Sequence, residues 1–204
     1  MSDLMQHLIE QFGRDSIVSV DKKQPDDVPT VLISVQKRSK VTLLMTIGLS
    51  DYKMPVPDLY AERSYTELVF CLPSHWDLDD ISNQWVYTWI QKLAKHVVEK
   101  QTWFGPGHTI PNGNPVSAIS ERMQQKYLIL TDPIYLKSEL SPITLEDKTV
   151  YFLAILPIFE DEMDYKMGKG TFKLLQKIEG KGISEMLDDY RMSSLKSKWR
   201  IFGK

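Results

Sequence analysis

The sequence has almost no cysteine and no long apolar run. Among the 204 residues Cys71 is the only cysteine, which excludes an intramolecular disulfide and a cysteine-based zinc site. No stretch approaches the roughly 18 uninterrupted apolar residues that suggest a spanning helix. The first residues carry neither the basic nor the apolar region of a secretory signal. We therefore expect a cytoplasmic protein without a membrane partner.

An excess of basic residues is also missing. The chain has 25 Lys and Arg against 27 Asp and Glu, giving a net charge of −2, whereas a nucleic-acid-binding domain usually presents a basic face. We expect no direct nucleic-acid contact. Basic residues gather at the C-terminus, where residues 193–204 are interpreted as the tail of a single domain spanning 1–204.

Metal-ligand spacing is absent as well. Three of the four histidines, His75, His96 and His108, do not form an H-E-x-x-H motif or another paired arrangement. The acids after residue 159 lack the register of a calcium-binding loop. The sequence therefore predicts neither a metal nor a cofactor.

The most apolar stretch of the chain is VYFLAILPIF, residues 150–159. A short run without strict alternation, rich in β-branched and aromatic residues, is typical of a strand that is buried on both faces. We predict that it forms the centre of the core. It ends abruptly at the acids Glu160, Asp161, Glu162 and Asp164, where such a strand would surface and give way to a helix.

The rest of the chain alternates β-prone runs with amphipathic segments, less regularly than a doubly wound fold would. We predict an α+β protein in which a single mixed, mainly antiparallel β-sheet packs with helices. The predicted strands are 16–20, 30–35, 41–47, 65–72 and 126–130, and the predicted helices are 2–12, 79–100, 171–179 and 183–191.

One segment begins like the nucleophile elbow of a serine hydrolase. In GLSDY, residues 48–52, Ser50 follows a predicted strand, and His108 could serve as its base. The elbow needs a second small residue so that the next helix can pack closely, and Tyr52 occupies that position. A hydrolase that uses Ser50 and His108 stays open as an alternative. The simpler interpretation is that Ser50 or Asp51 bonds to the turn backbone.

Aromatic and sulfur-containing side chains are concentrated in the predicted loops. Such residues are enriched in protein–protein interfaces, although each could equally cover an edge of the core. They include Tyr52, Met54, Tyr60, Trp103, Phe104 and Tyr165. Residues 101–117 form a long loop with three glycines and three prolines around His108.

Several blocks taken together resemble the suppressor-of-fused-like domain in its bacterial form. They are 46–55 (TIGLSDYKMP), 65–73 (YTELVFCLP) followed by Trp76, the helix with Trp85 and Trp89, 107–111 (GHTIP) and 156–163 (LPIFEDEM). The best-matched part spans about residues 30–192. The chain lacks the long extra lobe of the animal protein, so a transcription-factor partner is not carried over.

The resemblance implies a non-enzymatic protein-binding domain. Many bacterial members are immunity proteins, encoded beside a secreted toxin, often a nuclease, that they neutralise. The expected partner is therefore a cognate toxin protein such as a nuclease, and a regulatory or scaffold module that binds a host protein is the alternative.

The physical hypothesis is occlusion of a basic toxin groove by acids, with aromatic side chains as anchors. Glu185, Asp188 and Asp189 could add charge to this surface. The candidate partner-binding residues are Ser50, Asp51, Tyr52, Met54, His108, Glu160, Asp161, Glu162, Asp164 and Tyr165.

Overall fold

The predicted central strand is the longest strand of the sheet. A computed structural model describes residues 2–37 and 39–196, and in it this strand spans Thr149–Ile158. Residues 152–158 are all buried. Leu153 and Ile155 belong to the hydrophobic cluster on one face of the sheet, whereas Phe152 and Ala154 belong to the cluster on the other. The prediction of a strand buried on both faces is therefore confirmed.

The other predicted strands are present in the predicted order, but strands at Thr109–Pro111 and Ile143–Thr144 were not predicted, and the first lies within the predicted loop 101–117. The helices are α1 (Asp3–Phe12), α2 (Trp85–Glu99), α3 (Glu160–Lys169) and α4 (Thr171–Gly180). The strands are β1 (Ile17–Val20), β2 (Thr30–Gln36), β3 (Lys40–Thr46), β4 (Thr66–Pro73), β5 (Thr109–Pro111), β6 (Tyr127–Thr131), β7 (Ile143–Thr144) and β8 (Thr149–Ile158). Short 3₁₀ turns lie at Arg14–Ser16, Leu49–Asp51 and Asp58–Arg63.

The eight strands form one mixed sheet. Its order is β1-β2-β3-β4-β8-β6-β5, and β7 pairs with the start of β8. The β4–β8 pair is parallel, with Thr66 opposite Tyr151, and the other strand pairs of the described residues are antiparallel. These findings confirm the predicted α+β class and the mainly antiparallel sheet.

Helices cover both faces of this sheet. On one face α2 packs its buried Trp89, Ile90 and Leu93 against β3, β4, β6 and β8. On the other, α1 and the segment 136–145 cover β2, β3 and the first half of β8. Leu174 and Ile178 of α4 lie further along that second face, against Ile129, Leu156 and Ile158.

The predicted start of the long helix is wrong. We expected Asp79 or Asp80 to begin a helix containing Ile81, but α2 begins at Trp85 and the Ile81 side chain is 84% exposed. The aspartates instead hold turns, since the Asp80 carboxylate accepts a hydrogen bond from the Ser82 N–H at 2.9 Å. Aspartate side chains favour such local turns as readily as helix starts.

The helix predicted at 183–191 is also absent. Met186 instead forms a parallel bridge to Cys71, and the Leu187 N–H donates to the Cys71 carbonyl at 2.9 Å. The registered pairing between β4 and β8 ends at Val69 and Ala154, and this segment contacts β4 beyond that point. The basic tail predicted at 193–204 falls outside the described residues from position 197 onwards.

Two isoleucine substitutions test this packing. Ile155→Ala should lower the free energy of unfolding by about 2–5 kcal/mol, because the side chain is fully buried and a cavity would remain. Ile81→Ala removes the same atoms from an exposed turn and should change the free energy of unfolding by less than about 0.5 kcal/mol. Urea denaturation of both variants measures the difference, and equal losses would contradict the described burial.

Candidate functional site

The acids after the central strand begin helix α3, and one of them is completely buried. Glu162 is 0% exposed. Its carboxylate accepts a hydrogen bond from the Phe159 N–H at 2.9 Å, the position from which a glutamate in the first turn commonly caps a helix start. Glu162 thus fixes the first turn of α3, and its carboxylate does not reach solvent.

Arg191 is the partner of this buried carboxylate. Its two terminal nitrogens lie 2.9 and 2.7 Å from the Glu162 oxygens, a bidentate arrangement. The guanidinium also donates to the Pro157 carbonyl at 2.6 Å, and the Ser194 N–H donates to Glu162 at 2.7 Å. Residues 191–194 are therefore bound to the exit of β8.

This environment changes the acidity of Glu162. Burial acts to raise its pKa, but the Arg191 guanidinium and the N–H groups of Ser194 and Phe159 outweigh it and hold the pKa below the ordinary value of 4.5. The carboxylate is consequently ionised at neutral pH, and its charge is balanced within the protein.

The acid cluster is therefore not the free charged surface that the sequence suggests. Glu162 cannot contact a partner because it is buried. Glu160 pairs with Lys126 at 2.7 Å, and Asp161 accepts a hydrogen bond from the Ser193 hydroxyl at 2.7 Å. Asp164 is exposed, and within the described residues no hydrogen bond or ion pair engages its side chain.

Glu185, a further acid considered for partner contact, is buried as well. It is 0% exposed, and its carboxylate accepts hydrogen bonds from the backbone N–H groups of Ile134, Tyr135 and Leu136 at 2.9–3.0 Å. These donors open the helical turn at 134–140, where N–H groups otherwise lack partners. Glu185 therefore caps a turn on the neighbouring segment.

Ser50 lies in a third buried carboxylate site. Its hydroxyl donates to Glu67 at 2.7 Å, and Glu67 also accepts from the N–H groups of Gly48 and Ser50 at 2.8 and 3.1 Å. Complete burial raises the pKa of Glu67, while the hydrogen bonds from Thr46, Gly48 and Ser50 oppose that rise. Glu67 thus holds the turn after β3.

The hydrolase alternative requires a hydrogen bond between Ser50 and His108, and the structure does not form one. The Ser50 side chain is 2% exposed and is committed to Glu67, whereas the His108 ring packs 4.4 Å from the Trp103 ring centroid. A nucleophile needs a base within hydrogen-bond reach and access to substrate. The arrangement supplies neither for Ser50.

The other candidate residues on the loop after β3 differ in their exposure to solvent. Asp51 is exposed and pairs with Lys148 at 3.0 Å. Tyr52 is half-buried against the core. Met54 is 2% exposed, and its sulfur accepts the Phe104 N–H at 3.5 Å. Met54 therefore joins this loop to the segment 101–108 and is not available for partner contact.

Aromatic rings and His108 gather where these two loops meet. The Trp103 ring lies 5.4 Å from Tyr60 and 4.4 Å from His108, and Phe104 lies 6.2 Å from His108. Burial lowers the pKa of His108, and the Lys166 charge lowers it further, so the imidazole is neutral at neutral pH. We call the half-buried residues Tyr60, Trp103 and His108 the ring cluster.

The ring cluster borders an open edge of the sheet. β5 is a terminal strand. The His108 carbonyl and the Asn112 N–H bond to β6, and strand alternation therefore directs the backbone groups of Thr109 and Pro111 away from it. Proline offers no N–H, which limits pairing at this edge. Lys166 of α3 donates to the Thr109 hydroxyl at 3.2 Å, so α3 lies beside the same edge.

Between residues 2 and 196, with position 38 left out, no three or more His, Cys, Asp or Glu side chains are grouped so that they could hold a metal ion. No helix within that same range is long and apolar enough to cross a membrane.

The burial of the three carboxylates was not predicted from the sequence, and only one of them has a sequence signal that indicates it. Glu67 interrupts an apolar strand, TELVFCLP, and a charge within such a run indicates a satisfied buried carboxylate. The pairing of Glu162 with Arg191 joins residues 29 positions apart, across a segment whose helix prediction was wrong. No local signal identifies that pair.

These features define the chain as an α+β domain whose buried carboxylates hold loops. The sequence belongs to the suppressor-of-fused protein family, whose model matches residues 25–192. A search of curated proteins gave no match.

Two solved structures share the fold. A Sufu–Fu complex structure aligns with a TM-score of 0.66 and 16% identity, covering 94% of this chain and 90% of the other. Drosophila Suppressor of Fused aligns with a TM-score of 0.67 and 16% identity over 94% of this chain. The alignment covers 50% of that Drosophila chain.

The Arg191–Glu162 pair gives a first prediction for this site. Arg191→Met should lower the free energy of unfolding by about 3–5 kcal/mol, because it leaves a buried carboxylate without its cation. The double variant with Glu162→Leu should recover part of the loss, since no charge remains buried. Lys126→Met, which breaks the exposed pair with Glu160, is the control and should have little effect. Denaturation at neutral pH measures all three, and equal losses in the single and double variants would contradict the pairing.

The lowered pKa of Glu162 gives a second prediction. A carboxyl group with a depressed pKa in the folded state stabilises the fold above its ordinary value of 4.5, and this contribution is lost as the pH falls through the folded pKa. The unfolding free energy of the parent should therefore fall in acid more steeply than that of the Glu162→Leu, Arg191→Met double variant. Parallel pH dependences would show that the pair contributes no such linkage.

Proposed function

We propose that this chain is an immunity protein that binds a cognate secreted toxin and neutralises it by covering the toxin's active site. The observation that carries the proposal is family membership, which indicates a protein-binding module. One structure with the same fold is a Sufu–Fu complex, so a relative binds a protein. The bacterial resemblance of the sequence supports a toxin as the partner.

The contact surface in this proposal is the ring cluster together with the accessible candidate residues around it. Half-buried aromatic rings at an open strand edge provide large contact area at low entropic cost, as interface anchors do. The Lys166–Thr109 hydrogen bond places α3 beside β5, which brings the Tyr165 turn of that helix close to His108. The accessible candidates are Asp51, Tyr52, His108, Glu160, Asp161, Asp164 and Tyr165.

The buried candidates have a supporting role in this proposal. Glu162, Ser50 and Met54 hold α3, the turn after β3 and the 101–108 segment in place. Glu160 and Asp164 supply acidic groups on α3, whereas Asp51 pairs with Lys148 at the opposite end of β8. A nuclease presents a basic phosphate-binding groove, and the acids on α3 would favour association with it.

Co-purification with the product of the adjacent gene tests the function. The chain, produced together with a neighbouring toxin, should form a stable complex and restore growth to cells that express that toxin. Absence of both the complex and the rescue would contradict the immunity role. In that case the regulatory or scaffold interpretation would remain, with a different protein partner.

Matched histidine substitutions test the surface. His108→Ala should weaken toxin binding by about tenfold or more, the loss expected of an anchor at an interface centre. His75→Ala removes the same side chain from an exposed turn elsewhere and should leave the affinity unchanged. Isothermal titration with purified toxin measures both. If the complex forms but the two variants bind equally well, the ring cluster is not the contact surface, although the immunity role would stand.

A further inference from the structure

The corner between α3 and α4 concentrates positive charge. Residues 165–181 contain five lysines and a single acid, Glu179, so the rest of the chain is left with 20 of the 25 basic and 26 of the 27 acidic residues. Lys169, Lys173, Lys177 and Lys181 recur at every fourth position and are all exposed. We call these four residues the lysine stripe. A protein of net charge −2 therefore carries a strongly basic surface in one place.

The fold gains from part of this arrangement, since Lys169 and Lys177 lie in the last turns of α3 and α4, where the helix dipole favours a cation. In the described residues no carboxylate lies within ion-pair distance of the lysine stripe. Lys173 and Lys177 are four residues apart on α4, where like charges destabilise a helix. Lys173 also lies in the first turn, where the helix dipole disfavours a cation. The stripe is therefore able to contact an anionic partner outside the chain, although Lys177 also lies 5.7 Å from the Tyr165 ring centroid.

Two large apolar side chains protrude beside the lysine stripe. Met167 is 73% exposed and Phe172 is 72% exposed, and they lie on the two sides of the turn between the helices. Gly170 makes this turn with φ of 89°, a left-handed conformation that favours glycine. The inner side chains Leu174 and Ile178 pack on the sheet, so the outer face of the corner is directed away from the core.

We propose that this corner docks on an anionic phospholipid surface. Amphipathic segments at a bilayer surface bury apolar side chains near the headgroups while lysines contact the anionic phosphates. Met167 and Phe172 supply the apolar side chains, and the lysine stripe supplies the contacts to the phosphates. Apolar side chains that protrude from a convex corner suit a soft bilayer better than a nucleic-acid backbone, to which a methionine contributes little. The expectation of no membrane partner rested on the lack of a spanning segment and did not consider this surface.

Co-sedimentation of the full chain with lipid vesicles tests the proposal without any toxin. The parent should bind vesicles of phosphatidylcholine in which one third of the lipid is phosphatidylglycerol, and bind pure phosphatidylcholine far less. Added salt should weaken the binding by screening. Failure to prefer the anionic vesicles would overturn the proposal while leaving the proposed toxin binding untouched.

Substitutions then assign the binding to the corner. Lys173→Gln with Lys177→Gln should reduce partition by about tenfold or more, whereas replacing the same two lysines by arginine should preserve it. Lys22→Gln with Lys100→Gln changes the net charge equally on other exposed elements and should have little effect. Met167→Ala with Phe172→Ala should also reduce partition of the protein onto the anionic vesicles.

Two outcomes would contradict the assignment. Equal losses in the corner and control variants would show that net charge alone acts. Binding of a fluorescent oligonucleotide that is stronger than vesicle binding, and that is lost in the Lys173→Gln, Lys177→Gln variant, would make the corner a nucleic-acid surface instead.

Discussion

The burial of three carboxylates is the constraint on which the arrangement of the loops depends. A buried carboxylate is costly unless hydrogen bonds or an opposite charge satisfy it. Glu67, Glu162 and Glu185 are each 0% exposed, and each is satisfied by donors from another segment. Each pairing therefore fixes a segment that has no strand partners of its own: the turn after β3, residues 191–194 and the turn at 134–136. The sheet supplies the frame, and these carboxylates attach the loops to it.

The same constraint decides which charges can reach a partner. An acid that satisfies loop donors is withdrawn from the surface, which is why the cluster at 160–164 leaves Asp164 as its unpaired exposed member in the described structure. The lysine stripe, in contrast, has no ion-paired carboxylate among residues 2–37 and 39–196 and stays exposed, with Lys177 near the Tyr165 ring. Charge counted along the sequence thus misidentifies the electrostatic surface, because the accessible charge is what remains after internal pairing.

The sequence predicted those parts of the fold that local pattern determines. The run at 150–159 is continuously apolar because both of its faces are buried, and the hairpin of β1 and β2 and helix α4 follow the spacing of their own elements. The errors lie where local pattern is ambiguous. Asp80 can begin a helix or hold a turn, and residues 183–191 have helical spacing but are bound to Cys71 and to Glu162 by distant contacts. The site was predicted least well, since Arg191 meets Glu162 only after the sheet has formed.

The position of the ring cluster follows from these attachments. Met54 joins the loop held by Glu67 to the segment that begins β5, so the carboxylate under Ser50 also determines where Trp103 and His108 lie. On the other side, Glu162 fixes the start of α3, and Lys166 of that helix contacts Thr109. The open edge of β5 is therefore held between two segments that are each anchored by a buried glutamate. A preorganised edge of this kind would lose little entropy on binding the proposed partner, so that affinity would not require many exposed rings.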